Sequence, residues 1–207
     1  MPFLELPKED VIGMINVNCL AATVLCHSLM PKMKQKGKGA VINLSSSANF
    51  AIIPYLGVYA ATKHYMTAFT VAIAEEYKDC GIEVQCIEPG AVKTAMTTHF
   101  DEVMTFIFVT NFVDIFLLLK IWFLIKLSLY TFKAPSFVFP PLDVYTKSAC
   151  QTLGFTRRTC GYIGHSIQMG IGMALFDIKE NPIFTSLFAK AGKGTYEKAL
   201  KNKQKSQ

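Results

Sequence analysis

Three side chains in the first third of the sequence have the types and the spacing that proton transfer requires. Tyr59 and Lys63 are four residues apart in a segment, 58–78, that predicts a helix, so both side chains lie on one face of it. A lysine cation at that distance favours the phenolate and brings the titration of the phenol toward neutral pH. Ser46 follows an apolar run, 40–44, that predicts a buried parallel strand. Because ligands bind at the carboxyl ends of parallel strands, we expect this serine to hold a substrate carbonyl while the tyrosine donates a proton.

The elements around these residues alternate between helix and strand. In order, the pattern predicts a helix over 8–33, a strand over 40–44, a helix over 58–78, a strand over 82–87 and a helix over 143–153. The first helix carries a recurrent apolar stripe and is expected to end near Pro31, and Gly81 ends the second. Alternation of this kind gives parallel strands joined by right-handed crossovers, which is an α/β sheet flanked by helices.

The ordered set of residues resembles the short-chain dehydrogenase/reductase family, whose signature is a serine, then Tyr-x-x-x-Lys, then Pro-Gly. Ser46 precedes Tyr59 by the family's interval. The segment 16–18 (Asn-Val-Asn) resembles part of the helix that carries the family's catalytic asparagine, and its spacing to Pro31 favours Asn18. The resemblance implies a catalytic set made of Asn18, Ser46, Tyr59 and Lys63.

A Pro-Gly loop after the second strand resembles the cofactor side of the family's site. Residues 89–94 are similar to its nicotinamide-side loop, with Thr94 near the carboxamide. The resemblance implies NADP(H) as the cofactor, although the choice of NADP over NAD rests on likeness alone. The implied cofactor-binding residues are Tyr59, Lys63, Pro89, Gly90, Val92 and Thr94.

Within the family, the chain is most similar to the 17β-hydroxysteroid dehydrogenases and the very-long-chain 3-oxoacyl-CoA reductases. Segments 75–78, 94–97 and 133–138 carry this likeness. It implies an oxidoreductase that reduces a ketone on a lipid, either a 3-oxoacyl-CoA or a 17-ketosteroid. Family members commonly pair through the helices that follow Asn18 and Tyr59, so a homodimer is an open expectation.

The cofactor-binding start of the family's fold has no counterpart in the sequence. No glycine-rich strand-turn-helix and no Asn-Ala-Gly strand end precede Asn18. At roughly 30 residues per βαβ unit, the missing part amounts to about 100 residues. We therefore expect a partial Rossmann-like parallel sheet that lacks its first βαβ units, from a fragment, an alternative transcript or an incomplete gene model of a longer enzyme. Residues 1–4 have neither a basic region nor a cleavage pattern, so no signal peptide is expected.

Two other outcomes remain open for such a chain. It could be a catalytically silent partner that dimerises or associates with a membrane. It could also fail to fold alone, because a sheet without its first strands exposes a long apolar edge.

The composition is apolar for a soluble domain and moderately basic. Hydrophobic residues make up 51% of the chain, against about 45–50% in typical domains, and the net charge is +6. No stripe of interleaved aromatic and basic residues is present, so nucleic acid is not an expected partner. The charge suits anionic lipid headgroups or the phosphates of an acyl-CoA or of NADP. Six cysteines lack Cys-x-x-Cys spacing, and we expect them to be reduced in a protein that faces the cytosol.

Much of the apolar content lies in one segment, 103–132. It is long enough to cross a membrane, but Asp114, Lys120 and Lys126 interrupt it, and a carboxylate near the centre of a membrane helix costs about 3 kcal/mol. Its position after the Pro-Gly loop suits a mobile lid over a lipid substrate or a surface that lies on a membrane. Its composition is equally typical of a translated A/T-rich intron, and sequencing of the spliced message would decide between these interpretations.

These features divide the chain into four parts. They are the C-terminal part of a Rossmann-like catalytic domain over 1–102, an apolar insertion over 103–132, a substrate-side helical region over 133–200 and a basic tail over 201–207. Lysines third and fifth from the end resemble a dilysine retrieval signal, which implies the endoplasmic-reticulum membrane with the catalytic face toward the cytosol. A solvated basic tail is the alternative interpretation.

Each candidate residue also has a purely structural interpretation. Ser46 fits a strand end or a helix cap, Tyr59 a half-buried core aromatic, and Lys63 a solvated helix residue. A helical asparagine such as Asn18 can simply satisfy a neighbouring carbonyl, and Thr94 can cap the next helix. The ordered combination favours the active-site interpretation over these separate ones.

Overall fold

The structure of the protein is a computed structural model that describes residues 1–50, 53–94, 97, 139–176, 185–186, 189, 192–194, 196–197 and 200. The chain forms two compact units, Met1–Gly90 with Thr146–Gln207, and Ala91–Tyr145, and each is considered by itself. The apolar segment 103–132 and the basic tail 201–207 lie outside the described residues, so the lid, membrane and retrieval-signal interpretations are not addressed by the fold.

The described helices and strands follow the predicted alternation. In chain order they are α1 (Lys8–Ile15), α2 (Ala21–Lys36), β1 (Gly39–Leu44), α3 (Gly57–Glu76), β2 (Ile82–Ile87), α4 (Leu142–Gln151), β3 (Arg158–Thr159) and α5 (Ile163–Phe176). Short 3₁₀ turns cover Phe3–Glu5 and Ser47–Asn49.

The three strands form one parallel sheet in the order β1-β2-β3. Gly39 pairs with Ile82 and Leu44 with Ile87, so β1 and β2 end side by side. The predicted parallel α/β sheet is confirmed, and β2 has the predicted bounds. Parallel strands in this register bring both carboxyl ends to one edge, which is where the candidate residues follow.

The predicted single helix over 8–33 is wrong in two respects. A π-helical turn, Asn16–Leu20, separates α1 from α2. The second helix also passes through Pro31 and continues to Lys36. Gly37 supplies the actual stop, because its φ of +62° gives the left-handed cap that glycine adopts without strain.

Helices α2 and α3 pack their buried side chains against one face of the sheet. The core cluster consists of Cys26, Met30, Ile73, Ala74, Ile82 and Val84. On the opposite face of β2, the Gln85 amide donates to the carbonyls of Thr152 and Thr156, each at 2.7 Å, and so holds that segment against the strand. The core therefore lies between the two helices and the centre of the sheet.

The prediction that β1 is buried is wrong for one of its faces. Ile42 and Leu44 are 45% and 59% exposed, and of the residues of β1 only Asn43 is fully buried. The apolar stripe of the first helix behaves similarly, since Leu25 and Leu29 are exposed. The physical reason is that no described segment packs on the face of β1 that carries Ile42 and Leu44.

Within the described part of the chain, one helical stretch, Lys8–Lys36, is long and apolar enough to cross a membrane. Length and composition are the only support for a span there. α2 also supplies Cys26 and Met30 to the core cluster.

Candidate active site

Helix α3 presents the predicted tyrosine and lysine toward the end of β1. The Lys63 Nζ lies 5.7 Å from the centre of the Tyr59 ring, within the range of a cation–π contact. The same ammonium donates to the carbonyl oxygen of Leu44 at 3.1 Å. Burial lowers the pKa of Lys63, an effect that the nearby Cys86 and Cys19 partly oppose. The lysine is thus a desolvated cation held between the phenol and the strand end.

Ser46 begins the turn that follows β1. Its Oγ accepts a hydrogen bond from the Ala48 N–H at 3.2 Å, so it caps the 3₁₀ turn. This contact uses a lone pair and leaves the hydroxyl hydrogen available to a substrate carbonyl, because a serine hydroxyl both donates and accepts. The neighbouring Ser45 is buried and donates to the Lys63 carbonyl at 2.7 Å. The cap and the carbonyl-binding interpretation are therefore compatible.

Asn18 lies in the π-helical turn and contacts α3. Its Nδ2 donates to the Thr62 Oγ1 at 3.0 Å, and that hydroxyl donates to the Tyr59 carbonyl at 2.7 Å. π-Helical turns often occur at functional sites, where they redirect a side chain. The asparagine is consequently tied to the turn of α3 that carries the tyrosine.

The Pro89-Gly90 pair lies beside the serine turn. The Pro89 carbonyl accepts from the Ser47 N–H at 2.8 Å, and the Gly90 N–H donates to the His165 Nδ1 at 3.1 Å. A Cβ at Gly90 would be 2.7 Å from the imidazole Cδ2 of His165. Only glycine fits at this position without a shift of the ring.

Val92 and Thr94 belong to the second unit. Val92 is buried, and its carbonyl accepts from the Thr97 Oγ1 at 2.6 Å. The Thr94 N–H donates to the same hydroxyl at 2.8 Å. Their role in cofactor binding stays a prediction, whereas Asn18, Ser46, Tyr59, Lys63, Pro89 and Gly90 all lie in the first unit.

Several residues around the site were missed by the sequence pattern. They are Ser45, Asn49, Thr62, Thr67, Glu88, Arg158 and His165. Thr67 follows Lys63 by one helical turn, so helix periodicity could have placed it on the same face. Glu88 directly follows β2. A charged residue at the end of a mostly buried strand was the signal in the sequence that could have indicated a buried polar contact.

The donor set suits the nicotinamide end of a dinucleotide. An ammonium and a phenol on one helix face can bond ribose hydroxyls, which are both donors and acceptors. Among the described residues, Lys63 and Tyr59 would provide these contacts, beside the loop that contains Gly90. No glycine-rich turn for a pyrophosphate occurs before Asn18.

Comparison with known sequences relates the chain to one enzyme family. The family profile described as short chain dehydrogenase matches residues 1–104, a range that includes Ser46, the Tyr59 and Lys63 pair and the Pro89-Gly90 loop. The chain belongs to the short-chain dehydrogenase family. The predicted family resemblance is thereby confirmed, and the matched range includes every candidate site residue.

Relatives among the short-chain dehydrogenases include both active and inactive proteins. The chain is 32% identical over 84% of its length to hydroxysteroid dehydrogenase-like protein 1 of Gallus gallus. It is 31% identical over 80% of its length to the inactive hydroxysteroid dehydrogenase-like protein 1 of Homo sapiens. It is 29% identical over 82% of its length to the very-long-chain 3-oxoacyl-CoA reductase of Mus musculus. The alignments cover 44%, 42% and 44% of these relatives, respectively, so the chain spans less than half of the length of each.

Proposed function

We propose that this chain carries the catalytic part of an NADP(H)-dependent reductase that acts on a ketone of a lipid. The observation that supports this most is the half-buried Lys63 ammonium, which contacts both the Tyr59 ring and the end of the strand that leads to Ser46. Similarity to a 3-oxoacyl-CoA reductase and to hydroxysteroid dehydrogenase-like proteins supports a 3-oxoacyl-CoA or a 17-ketosteroid as the substrate. Both substrates remain in the proposal.

In the proposed mechanism the protein positions the carbonyl and supplies a proton. When bound, NADPH supplies the hydride that reduces the carbonyl carbon. The Ser46 hydroxyl donates to the carbonyl oxygen, and the Tyr59 hydroxyl transfers its proton to that oxygen as negative charge develops there. The Lys63 ammonium stabilises the resulting phenolate and binds the nicotinamide ribose. Asn18 positions a water molecule that returns a proton to the site.

Electrostatics support lysine as the group that assists the phenol. A cation within a few ångströms of a phenolate interacts more strongly where water is excluded. Among the residues that the structure describes, no carboxylate forms a salt bridge with Lys63. The charge is therefore available to the phenolate and to the cofactor.

The experiment that tests the proposal compares two tyrosines on α3. Tyr59→Phe should lower turnover of NADPH with a 3-oxoacyl-CoA or a 17-ketosteroid by about 10²- to 10⁴-fold, since general acid catalysis contributes that much. Tyr65→Phe is the matched control, because the described hydrogen bond of its hydroxyl is with the Thr23 hydroxyl, at 2.8 Å. Equal turnover in the wild-type protein and in Tyr59→Phe would refute the proposed role.

A catalytically silent partner is the second candidate function. The supporting observation is that the human relative, 31% identical to this chain, is named inactive. A fluorescence titration with NADPH separates the two candidates, because the reductase must respond to the nucleotide. No response at millimolar NADPH would favour the silent partner.

The proposal extends to where the protein resides and how it assembles. The lysines third and fifth from the C-terminus support retrieval to the endoplasmic-reticulum membrane with the catalytic face toward the cytosol. Cell fractionation of the wild-type chain and of a variant with both lysines changed to serine tests this. Sedimentation equilibrium tests the homodimer.

A further inference from the structure

Glu88 is a buried carboxylate at the end of β2 that the proposed mechanism does not use. Its side chain is only 1% exposed, although it carries a charge that burial penalises unless partners compensate for it. Its Oε2 accepts from the Arg158 Nε at 2.6 Å. Its Oε1 accepts from the Thr67 Oγ1 at 2.8 Å and from the Asn49 Nδ2 at 2.5 Å. Both carboxylate oxygens are therefore bonded.

Two of the three side chains bonded to Glu88 come from the segments that carry the predicted catalytic residues. Asn49 ends the 3₁₀ turn that Ser46 begins. Thr67 follows Lys63 by one turn of α3. Glu88 itself directly precedes the Pro89-Gly90 loop. One carboxylate thus joins the serine turn, the lysine helix and the cofactor-side loop.

A second set of bonds continues from Thr67 to the lysine. The Thr67 and Ser45 hydroxyls are 2.8 Å apart, and Ser45 donates to the Lys63 carbonyl at 2.7 Å. The Thr67 hydroxyl has one hydrogen, and the carboxylate of Glu88 is its strongest acceptor. With the Thr67 hydrogen bonded to Glu88, the Ser45 hydroxyl has one hydrogen for two acceptors, the Thr67 oxygen and the Lys63 carbonyl. Charge on Glu88 therefore orients the Thr67 hydroxyl, and Ser45 lies between that hydroxyl and the backbone of Lys63.

Arg158 is fixed on both sides. Its guanidinium carbon lies 4.6 Å from the centre of the ring of Phe50, which is the residue after Asn49. Its strand is bonded to β2 through the Glu88 N–H, which donates to the Thr159 carbonyl at 2.8 Å. The arginine is half-exposed, so the pair is buried on the carboxylate side only.

Stability alone does not explain this arrangement. A buried ion pair gains little net free energy over a well-packed apolar pair, because desolvation of the charges offsets their attraction. Directional bonds from one carboxylate to three segments instead fix their relative positions. We propose that Glu88 is a positioning residue that holds Ser46 and Lys63 in catalytic register, an inference that rests on the proposed reductase function.

Two substitutions of Thr67 separate positioning from packing. Thr67→Val keeps the shape of the side chain but removes the hydroxyl, whereas Thr67→Ser keeps the hydroxyl but removes a methyl group. Positioning predicts that kcat falls about 10- to 100-fold in Thr67→Val, as expected for a small misplacement of catalytic groups, and returns near the wild-type value in Thr67→Ser. A packing role predicts that both variants lose Tm and that kcat is unchanged.

Glu88→Gln tests the carboxylate itself against a matched glutamate. Glutamine has the size of glutamate but no charge. Opposite the Arg158 Nε–H it places either an NH₂ group, which cannot accept the hydrogen bond, or a neutral carbonyl oxygen, which accepts it more weakly. Glu75→Gln is the control, because Glu75 forms exposed pairs with Arg157 and Lys78. We expect Glu88→Gln to lower kcat in the same range as Thr67→Val, and Glu75→Gln to match the wild-type protein.

Hydrogen exchange gives a readout that does not depend on turnover. The Ser47 N–H bonds to the Pro89 carbonyl and the Ala48 N–H to the Ser46 Oγ. Their exchange should speed up about tenfold or more in Glu88→Gln and Thr67→Val, but not in Glu75→Gln. Unchanged exchange and unchanged kcat in Glu88→Gln would overturn the inference. A wild-type chain without turnover would refute the proposed function alone, and the exchange rates would still decide the role of Glu88.

Discussion

The carboxyl end of the sheet and the outer side of β1 and α2 differ in which kind of side chain is buried and which is exposed. At the carboxyl end, polar side chains such as Ser45, Thr67 and Glu88 are buried and bonded to one another. On the outer side, apolar side chains such as Ile42 and Leu44 are exposed. The site therefore owes its geometry to directional bonds inside the first unit, while the exposed apolar side contributes little to the stability of this chain.

This contrast predicts that function and stability respond to different substitutions. Residues at the carboxyl end should affect turnover more than unfolding. Substitutions on the core face of the sheet should change the free energy of unfolding. Substitutions on the exposed face should change neither turnover nor the free energy of unfolding.

The largest effect is expected for Lys63→Met. Turnover should fall about 10³-fold, because the variant loses the cation that assists the phenol and binds the ribose. Tm should stay the same or rise, since burial lowers the pKa of Lys63 and so disfavours its charged form in the folded protein. Steady-state kinetics and thermal unfolding measure both, with Lys78→Met as a control at an exposed lysine. Turnover within tenfold of the wild type would contradict the assigned role.

A smaller loss is expected for Ser46→Ala. Removal of one hydrogen-bond donor to the carbonyl oxygen should lower kcat about 10²- to 10³-fold. Ser47→Ala is the adjacent control, because the described hydrogen bonds of Ser47 involve its backbone, whose N–H donates to the Pro89 carbonyl and whose carbonyl accepts from the Phe50 N–H. Kinetics with saturating NADPH distinguish the two variants, and equal losses in both would argue that the turn matters and the Ser46 hydroxyl does not.

Two isoleucines on neighbouring strands test the stability side of the contrast. Ile82→Ala should lower the free energy of unfolding by about 2–5 kcal/mol, because Ile82 lies in the core cluster. Ile42→Ala should change it by about 0.5 kcal/mol or less, since its side chain is exposed. Urea denaturation measures both values. Similar losses in the two variants would mean that another surface covers β1 in solution.

The smallest effect is expected in the pH dependence. Since the pKa of Lys63 is lowered from its usual 10.5, the ammonium loses its proton at a lower pH than an ordinary lysine, and turnover should decline from that lower pH. Between the lowered value in the folded protein and the ordinary value in the unfolded protein, the unfolded chain binds more protons. The free energy of unfolding from this group should therefore rise with pH across that window. Rate profiles and urea denaturation at a series of pH values check both signs, and Lys63→Met should lack this component.

The sequence predicted the elements that local pattern determines. β2 alternates apolar and polar residues between Gly81 and Pro89, and its bounds agree with the prediction. The π-helical turn at Asn16–Leu20 was not predicted, because a shift in backbone hydrogen bonding leaves no mark in composition or periodicity. The end of α2 before Gly37 was within reach of the sequence, because glycine is the usual C-cap, but Pro31 indicated an earlier exit from the helix.

The candidate site was predictable only where its residues lie close in sequence. Tyr59 and Lys63 are one helical turn apart, so their proximity followed from helix geometry. Glu88 and Arg158 are 70 residues apart, and only the pairing of β2 with β3 brings them together. Burial of β1 was mispredicted for a related reason, because exposure of Ile42 depends on what covers the sheet and not on the strand itself.

Hydride transfer from NADPH deuterated on its nicotinamide ring is the most direct test of the proposed reductase site. After incubation with a 3-oxoacyl-CoA or a 17-ketosteroid, mass spectrometry of the alcohol product locates the deuterium. We expect one deuterium at the former carbonyl carbon with the wild-type protein, and almost no product with Tyr59→Phe. Product formed equally by Tyr59→Phe, or an alcohol without deuterium, would contradict a reductase that depends on Ser46, Tyr59 and Lys63.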